Sequence, residues 1–236
     1  MEGDALIREN LEIVRKNIEA AALRAGRDPK SVRLIAVSKT KPLSMVQEAI
    51  EAGALEFGEN KPQELRDKAD ALKRSDISWH MIGHLQKNKI KYVVGRACMI
   101  HSVDTFELAE AISIQAEKCG IVMPVLLEVN IAGEETKFGM RPEETPAVAR
   151  AVSVLKGIQV RGLMTIAPFV SDPSLNRVHF RNLRDLSIDI ARQNIDNVFM
   201  YDLSMGMTGD YEVAVEEGAT FVRVGTGIFG ERDYSI

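Results

Sequence analysis

Hydrophobic and polar positions alternate along this chain in a regular beat of strand and helix. The first segment is amphipathic: Ile7, Leu11, Val14, Ile18 and Ala22 recur at helical spacing, and Gly26 with Pro29 ends the pattern. Short apolar runs then alternate with helical stretches. Strands are predicted at 32–38, 55–58, 78–83, 99–102, 125–130, 159–166, 198–204 and 221–227. Helices are predicted between them at 44–52, 62–73, 105–118, 145–155, 175–193 and 210–217. A strand–helix–strand rhythm implies parallel pairing with right-handed crossovers. Several strands are apolar throughout, as required when both faces of a sheet are covered.

Eight such units in a chain of 236 residues match a (β/α)8 TIM barrel with an extra N-terminal helix over residues 1–26. A doubly wound open sheet is the alternative. The composition does not break anywhere and there is no Pro-, Gly- or Ser-rich linker, so residues 1–236 are expected to form a single domain. Few residues follow the last strand, and the N-terminal helix is expected to cover that side of the barrel. Composition (45% hydrophobic, 27% charged) is ordinary for a globular chain. The net charge of −4 gives no nucleic-acid footprint. No apolar run reaches membrane-spanning length, and the acidic start Met1-Glu2-Gly3-Asp4 is unlike a signal peptide. Cys98 and Cys119 lack metal-ligand spacing and are expected to be packing residues in a reducing compartment. A cytoplasmic, monomeric protein is expected.

Candidate chemistry collects where the predicted strands end. Lys39 closes the run Leu34-Ile35-Ala36-Val37-Ser38, just before Thr40-Lys41-Pro42. An ammonium is costly to bury unpaired, and one use for such a lysine is as an amine that captures an aldehyde. The alternative is a packed stem with a head that reaches water. The ends of strands 7 and 8, Ser204-Met205-Gly206-Met207-Thr208 and Arg223-Val224-Gly225-Thr226-Gly227, are rich in Gly, Ser and Thr. Barrels commonly bind phosphate in the loops after these two strands. Ser204 offers a hydroxyl, and Gly206, Gly225 and Thr226 offer backbone N–H groups. An aldehyde trap on strand 1 and a phosphate cradle after strands 7 and 8 fit pyridoxal 5'-phosphate. His80 and His84 have H-x-x-x-H spacing, but on a strand this separates them too far for one metal, and no metal site is expected. His101 is expected as a hydrogen-bonded core histidine. The lysines of Lys87-Asn88-Lys89-Ile90-Lys91, and Lys137 after strand 5, read as solvated surface.

Ala36-Val37-Ser38-Lys39-Thr40-Lys41-Pro42, Phe57-Gly58-Glu59-Asn60, the run from His80 to Lys89, Gly162-Leu163-Met164-Thr165, Ser204-Met205-Gly206-Met207 and the run from Arg223 to Gly230 resemble the pyridoxal phosphate homeostasis proteins. That family is similar to the N-terminal barrel of alanine racemase (fold type III). The resemblance implies that Lys39 carries the cofactor as a Schiff base and that Asn60 faces it from strand 2. It places Ser204, Gly206, Gly225 and Thr226 at the phosphate and Arg223 near the pyridine nitrogen, and Met164 beside the ring is a further candidate. Thr208 stands where serine is expected, and Lys61-Pro62 departs from the usual loop. Arginine only donates hydrogen bonds, so a ring nitrogen facing it stays unprotonated and the ring is a weaker electron sink. Racemase-like enzymes also use a tyrosine from a second domain of a partner subunit, and this chain stops at Ile236, shortly after strand 8. Tyr201, Tyr211 and Tyr234 are expected in the core or on the surface. The resemblance therefore implies a protein of intracellular vitamin B6 homeostasis with little or no amino-acid turnover, whose partners are the cofactor and PLP-dependent apo-enzymes. A fold-type III racemase or lyase is the alternative.

Overall fold

The architecture comes from a computed structural model, which describes residues 2–231 of the chain. Eight parallel strands close into a barrel in chain order. They are β1 Arg33–Val37, β2 Glu56–Glu59, β3 Ser78–Met81, β4 Met99–Val103, β5 Met123–Glu128, β6 Ile158–Met164, β7 Val198–Met207 and β8 Phe221–Val224. Helix α1 (Glu2–Arg24) precedes the barrel, and α2 (Leu43–Glu51), α3 (Pro62–Leu72), α4 (Phe106–Lys118), α5 (Thr145–Val152), α6 (Arg177–Ala191), α7 (Tyr211–Glu216) and α8 (Thr226–Phe229) follow in turn. The crossover after β3 is a 3-10 helix, Lys87–Tyr92, and not a full α-helix. Tyr234 lies outside the described residues.

Two apolar groups hold the structure together. The larger lies between barrel and helices and includes Phe57, Met81, Ile100, Phe180 and Val222. The smaller fills the barrel itself, with Ile35, Val37, Ile82, Met99, Leu126, Met164 and Phe221. Residues i and i+2 of each strand share a face, so Ile35 and Val37 point inward while Ala36 packs outward. Helix α1 takes the place expected for it. Its buried stripe of Ile7, Leu11, Val14, Ile18, Ala21 and Ala22 packs beside α2, α7 and α8. Asn17 donates to the Tyr211 hydroxyl (2.9 Å), and Asn10 donates to the Ile228 carbonyl (3.0 Å). Arg24 pairs with Glu212 and Glu216 of α7.

Cys98 and Cys119, expected to be packing residues, are both exposed as residues and form no disulfide, but the Cys98 sulfur turns inward to 3.5 Å from Nε2 of the buried His80. Cys119 caps the C-terminus of α4, and Cys98 immediately precedes β4. No helix among the described residues is long and apolar enough to cross a membrane.

Candidate functional site

The C-terminal ends of the strands form one rim, and Lys39 stands on it two residues beyond β1. The turn that carries it is braced from three sides. The buried Glu59 accepts from the Ser38 hydroxyl (2.6 Å) and from the Lys68 ammonium (2.7 Å). Lys68 also donates to the Ser38 carbonyl (2.8 Å), and Glu64 accepts from the Thr40 amide (2.8 Å). Thr40 takes a left-handed backbone, φ 63°, which these bonds sustain. Burial raises the Glu59 carboxyl above its usual range, and the attraction of Lys68 only partly offsets this. Lys41 reaches across the rim and donates to the carbonyls of Phe229, Gly230 and Glu231 just past β8 (3.0, 3.2 and 2.9 Å). It thereby ties the Lys39 turn to the end of the barrel. Glu64 and Lys68 were not singled out in the sequence, and Glu59 entered only as part of the Phe57–Asn60 motif with no role, because the residues they hold are distant in the chain.

The loops after β7 and β8 meet in a small cup. Gly225 N–H, Gly227 N–H and the Thr226 hydroxyl each lie 3.3 Å from the Thr208 Oγ1. Three donor groups converging on one oxygen form a cradle for an oxyanion, in which the Thr208 hydroxyl occupies the focus. Asp210 shapes this loop by accepting from the Met207 amide (2.7 Å) and from the Asn176 side chain (2.7 Å). Gly206 has φ +90°, and a Cβ there would lie 2.5 Å from the Ala214 methyl, so no larger residue fits. A Cβ on Gly225 would sit 3.5 Å from the Val37 carbonyl oxygen, which places the cup against the end of the Lys39 strand.

Ser204 is not in this cup. Its side chain is fully buried in the barrel and hydrogen bonded to His101 Nδ1 (2.9 Å) and to Arg223 (2.5 Å). The strand was expected to end at Ser204 but runs on to Met207, so the serine sits below the mouth and Thr208 takes its place at the cup. Thr208 was noted at the end of the strand 7 run and as a departure from the family pattern, with no role assigned to it; its position two residues before the buried Asp210, at the start of α7, is the signal that could have found it. Arg223 is buried, and its second bond goes to the Thr165 carbonyl (2.8 Å). Burial pushes its guanidinium down to about 10, against the attraction of Glu128 and Asp210, and it stays charged at neutral pH.

Met164 is fully buried in the interior cluster. Asn60 is half-buried on the rim, its backbone so close to Gly83 that a Cβ on the glycine would lie 2.5 Å from the Asn60 carbonyl oxygen. Glu128, at the end of β5, faces the interior opposite β1. Burial and the nearby Asp104 raise its carboxyl to about 7, with Arg223 opposing. His80 lies inside the barrel, whereas His84 stacks on Phe138 (3.9 Å between ring centres) and lies 3.5 Å from Asp104, so the two histidines occupy separate environments. A crevice of about 400 Å³ between α1 and the outer face of β1 and β2 contains none of the rim residues.

The alanine racemase N-terminal domain family matches residues 10–233. The pyridoxal phosphate homeostasis proteins of Aquifex aeolicus and Pseudomonas aeruginosa are 45% and 42% identical, covering 96% and 97% of this chain and 98% and 96% of their own. PipY of Synechococcus elongatus, solved with PLP bound, superposes with a TM-score of 0.80 at 36% identity, covering 95% of this chain and all of that one. An alanine racemase from Clostridium difficile shares the fold at 13% identity, with a TM-score of 0.76 over 98% of this chain and 61% of its own. The chain therefore belongs to the alanine racemase N-terminal domain family and, within it, to the pyridoxal phosphate homeostasis proteins.

Proposed function

We propose that this protein binds pyridoxal 5'-phosphate at the mouth of the barrel and serves the intracellular supply of that cofactor. The observation that carries the reading is the cup at Thr208, Gly225, Thr226 and Gly227, set against the end of the strand that leads to Lys39. When bound, the cofactor brings an aldehyde able to condense with an amine and a phosphate dianion. Lys39 supplies the amine, held in place through Ser38 and Thr40. The Gly225 and Gly227 amides and the Thr208 and Thr226 hydroxyls supply donors to the phosphate, and Gly206 leaves room for the loop. Arg223 donates toward the ring nitrogen. Asn60 borders the ring from β2, and Met164 forms part of the apolar floor. Ser204 acts on this site only through Arg223.

Little amino-acid turnover is expected from this arrangement. Tyr201 is exposed and lies outside the barrel with Phe199 and Arg161. Tyr211 is bonded to Asn17 of α1, and Tyr92 lies among Arg66, Lys89 and Lys91. None of these three is placed to serve Cα of a substrate opposite Lys39. A monomer that exchanges the cofactor with apo-enzymes fits this open rim, and two cysteines that form no disulfide fit a reducing cytoplasm.

Titration of Thr208→Val with pyridoxal phosphate, followed by absorbance, tests the cup. The variant keeps the branched shape and loses the hydroxyl. A hydrogen bond to a charged group contributes about 1.5–3 kcal/mol, so affinity falls about ten- to hundredfold, and Thr208→Ser restores it. Unchanged affinity in Thr208→Val would place the phosphate elsewhere.

A further inference from the structure

A column of polar side chains runs down the inside of the barrel, where apolar residues usually fill the space. At the lower end, Glu56 Oε1 accepts from Arg33 Nε (2.7 Å) and Glu56 Oε2 lies 3.2 Å from His80 Nε2. His80 Nδ1 is 2.9 Å from His101 Nε2, and His101 Nδ1 is 2.9 Å from the Ser204 hydroxyl. Ser204 in turn meets Arg223. Phe221 packs edge-on against both imidazoles, at 5.5 and 5.4 Å between ring centres, and fixes their planes. Both imidazoles and Ser204 are fully buried.

Donor and acceptor rules give this column one direction. Arg223 can only donate, so Ser204 accepts from it. The remaining neighbour of the Ser204 oxygen is His101 Nδ1, to which the hydroxyl then donates. His101 Nδ1 is therefore the acceptor, and its proton sits on Nε2, which donates to His80 Nδ1. His80 in turn carries its proton on Nε2, which donates to the Glu56 carboxylate. Every donor finds an acceptor, with a fixed cation at one end and a carboxylate at the other. The surrounding charges agree. Burial keeps His80 and His101 below the usual histidine range and neutral, with Arg33 and Arg223 adding to this and Glu56 and Asp202 opposing it. Burial alone would raise Glu56, but its bonds from His80 and Arg33 outweigh that and hold it ionised. The Cys98 sulfur, 3.5 Å from His80 Nε2, is a weak donor and acceptor beside a carboxylate.

We propose that Glu56, His80, His101 and Ser204 form a one-way hydrogen-bond relay that fixes both imidazole tautomers and orients Arg223 beneath the mouth. The first three are thereby positioning residues for the arginine that faces the cofactor ring. The relay itself stands on the distances above; its link to the ring rests on the function proposed above.

Glu56→Gln reverses the relay without removing it. Arg33 only donates, so the amide oxygen must face Arg33 and the amide nitrogen must face His80. His80 Nε2 then becomes an acceptor, and the proton of each imidazole moves to Nδ1. His101 Nδ1–H now donates to Ser204, whose own proton loses its partner. Long-range ¹H–¹⁵N spectra of histidine-labelled apo protein read this directly, since the chain has only four histidines. Wild type is expected to show His80 and His101 as Nε2–H tautomers, and Glu56→Gln to show both as Nδ1–H. An Nδ1–H form of either residue in wild type overturns the relay, and so does a folded Glu56→Gln with unchanged tautomers. If that variant does not fold, the wild-type spectrum still decides. With pyridoxal phosphate added, Glu56→Gln should shift the absorption band of the bound cofactor and weaken affinity about two- to tenfold, the value of one hydrogen bond. Switched tautomers with an unchanged band and affinity refute the positioning role. A wild type that fails to take up the cofactor refutes the proposed function instead and leaves the tautomer result intact.

Discussion

Replacing Glu128 with glutamine should change how stability depends on pH far more than it changes stability at pH 5. Glu128 is 5% exposed at the top of β5, and its carboxyl rises from an ordinary 4.5 to about 7 because burial, with Asp104 nearby, disfavours the charged form. The folded state therefore holds a proton that the unfolded chain releases near 4.5. The stability this group contributes is fully present below 4.5 and is lost as pH rises through about 7. At about 1.4 kcal/mol per pH unit, the interval from 4.5 to about 7 corresponds to about 3 kcal/mol. Glutamine matches the protonated acid in shape and does not ionise. Wild type and Glu128→Gln should be of similar stability at pH 5, and by pH 9 the variant should gain on wild type by up to about 3 kcal/mol. Urea unfolding of both proteins at the two pH values, without cofactor, measures the difference and cancels the groups they share. A variant whose offset from wild type is the same at pH 5 and pH 9 would refute the reasoning, because Glu128 would then ionise alike in both states.

Two further changes probe how the rim is held. Lys68→Met leaves the buried Glu59 without its cation; losing one partner of a buried pair costs about 3–5 kcal/mol, and Glu59→Gln on the same background should recover part of that in thermal unfolding. Gly83→Ala places a methyl 2.5 Å from the Asn60 carbonyl oxygen and 2.6 Å from its Cα, so the variant should lose about 1–3 kcal/mol by urea unfolding and bind pyridoxal phosphate more weakly, whereas full retention of both would mean that the β2 end yields freely.

The barrel was legible because its information is local. Parallel strands covered on both faces read as short apolar runs, and each observed strand falls within a few residues of its expected span. Lys39 and the Gly225-Thr226 turn were found for the same reason, as polar groups at the ends of such runs. The end of β7 was misjudged because hydrophobicity does not set it. Gly206 at positive φ and the bonds of Asp210 carry the strand three residues past Ser204, and the Gly225, Thr226 and Gly227 donors converge on Thr208 instead. The end of β8 retreats from Gly227 to Val224, because Thr226–Phe229 turn into a short helix. The bracing of Lys39 by Glu59, Glu64 and Lys68 was hidden, as was the Glu56–His80–His101 column. These partners lie on different elements, and only barrel closure brings them together.

In the proposed function, Lys39 is the amine that holds the cofactor. Wild-type protein loaded with pyridoxal phosphate, reduced with borohydride, digested and mapped by mass spectrometry tests it directly. One stoichiometric pyridoxyl adduct is expected on the peptide that contains Lys39, lost in Lys39→Ala. A stoichiometric adduct on Lys41, Lys68 or any other lysine with Lys39 unmodified would contradict it.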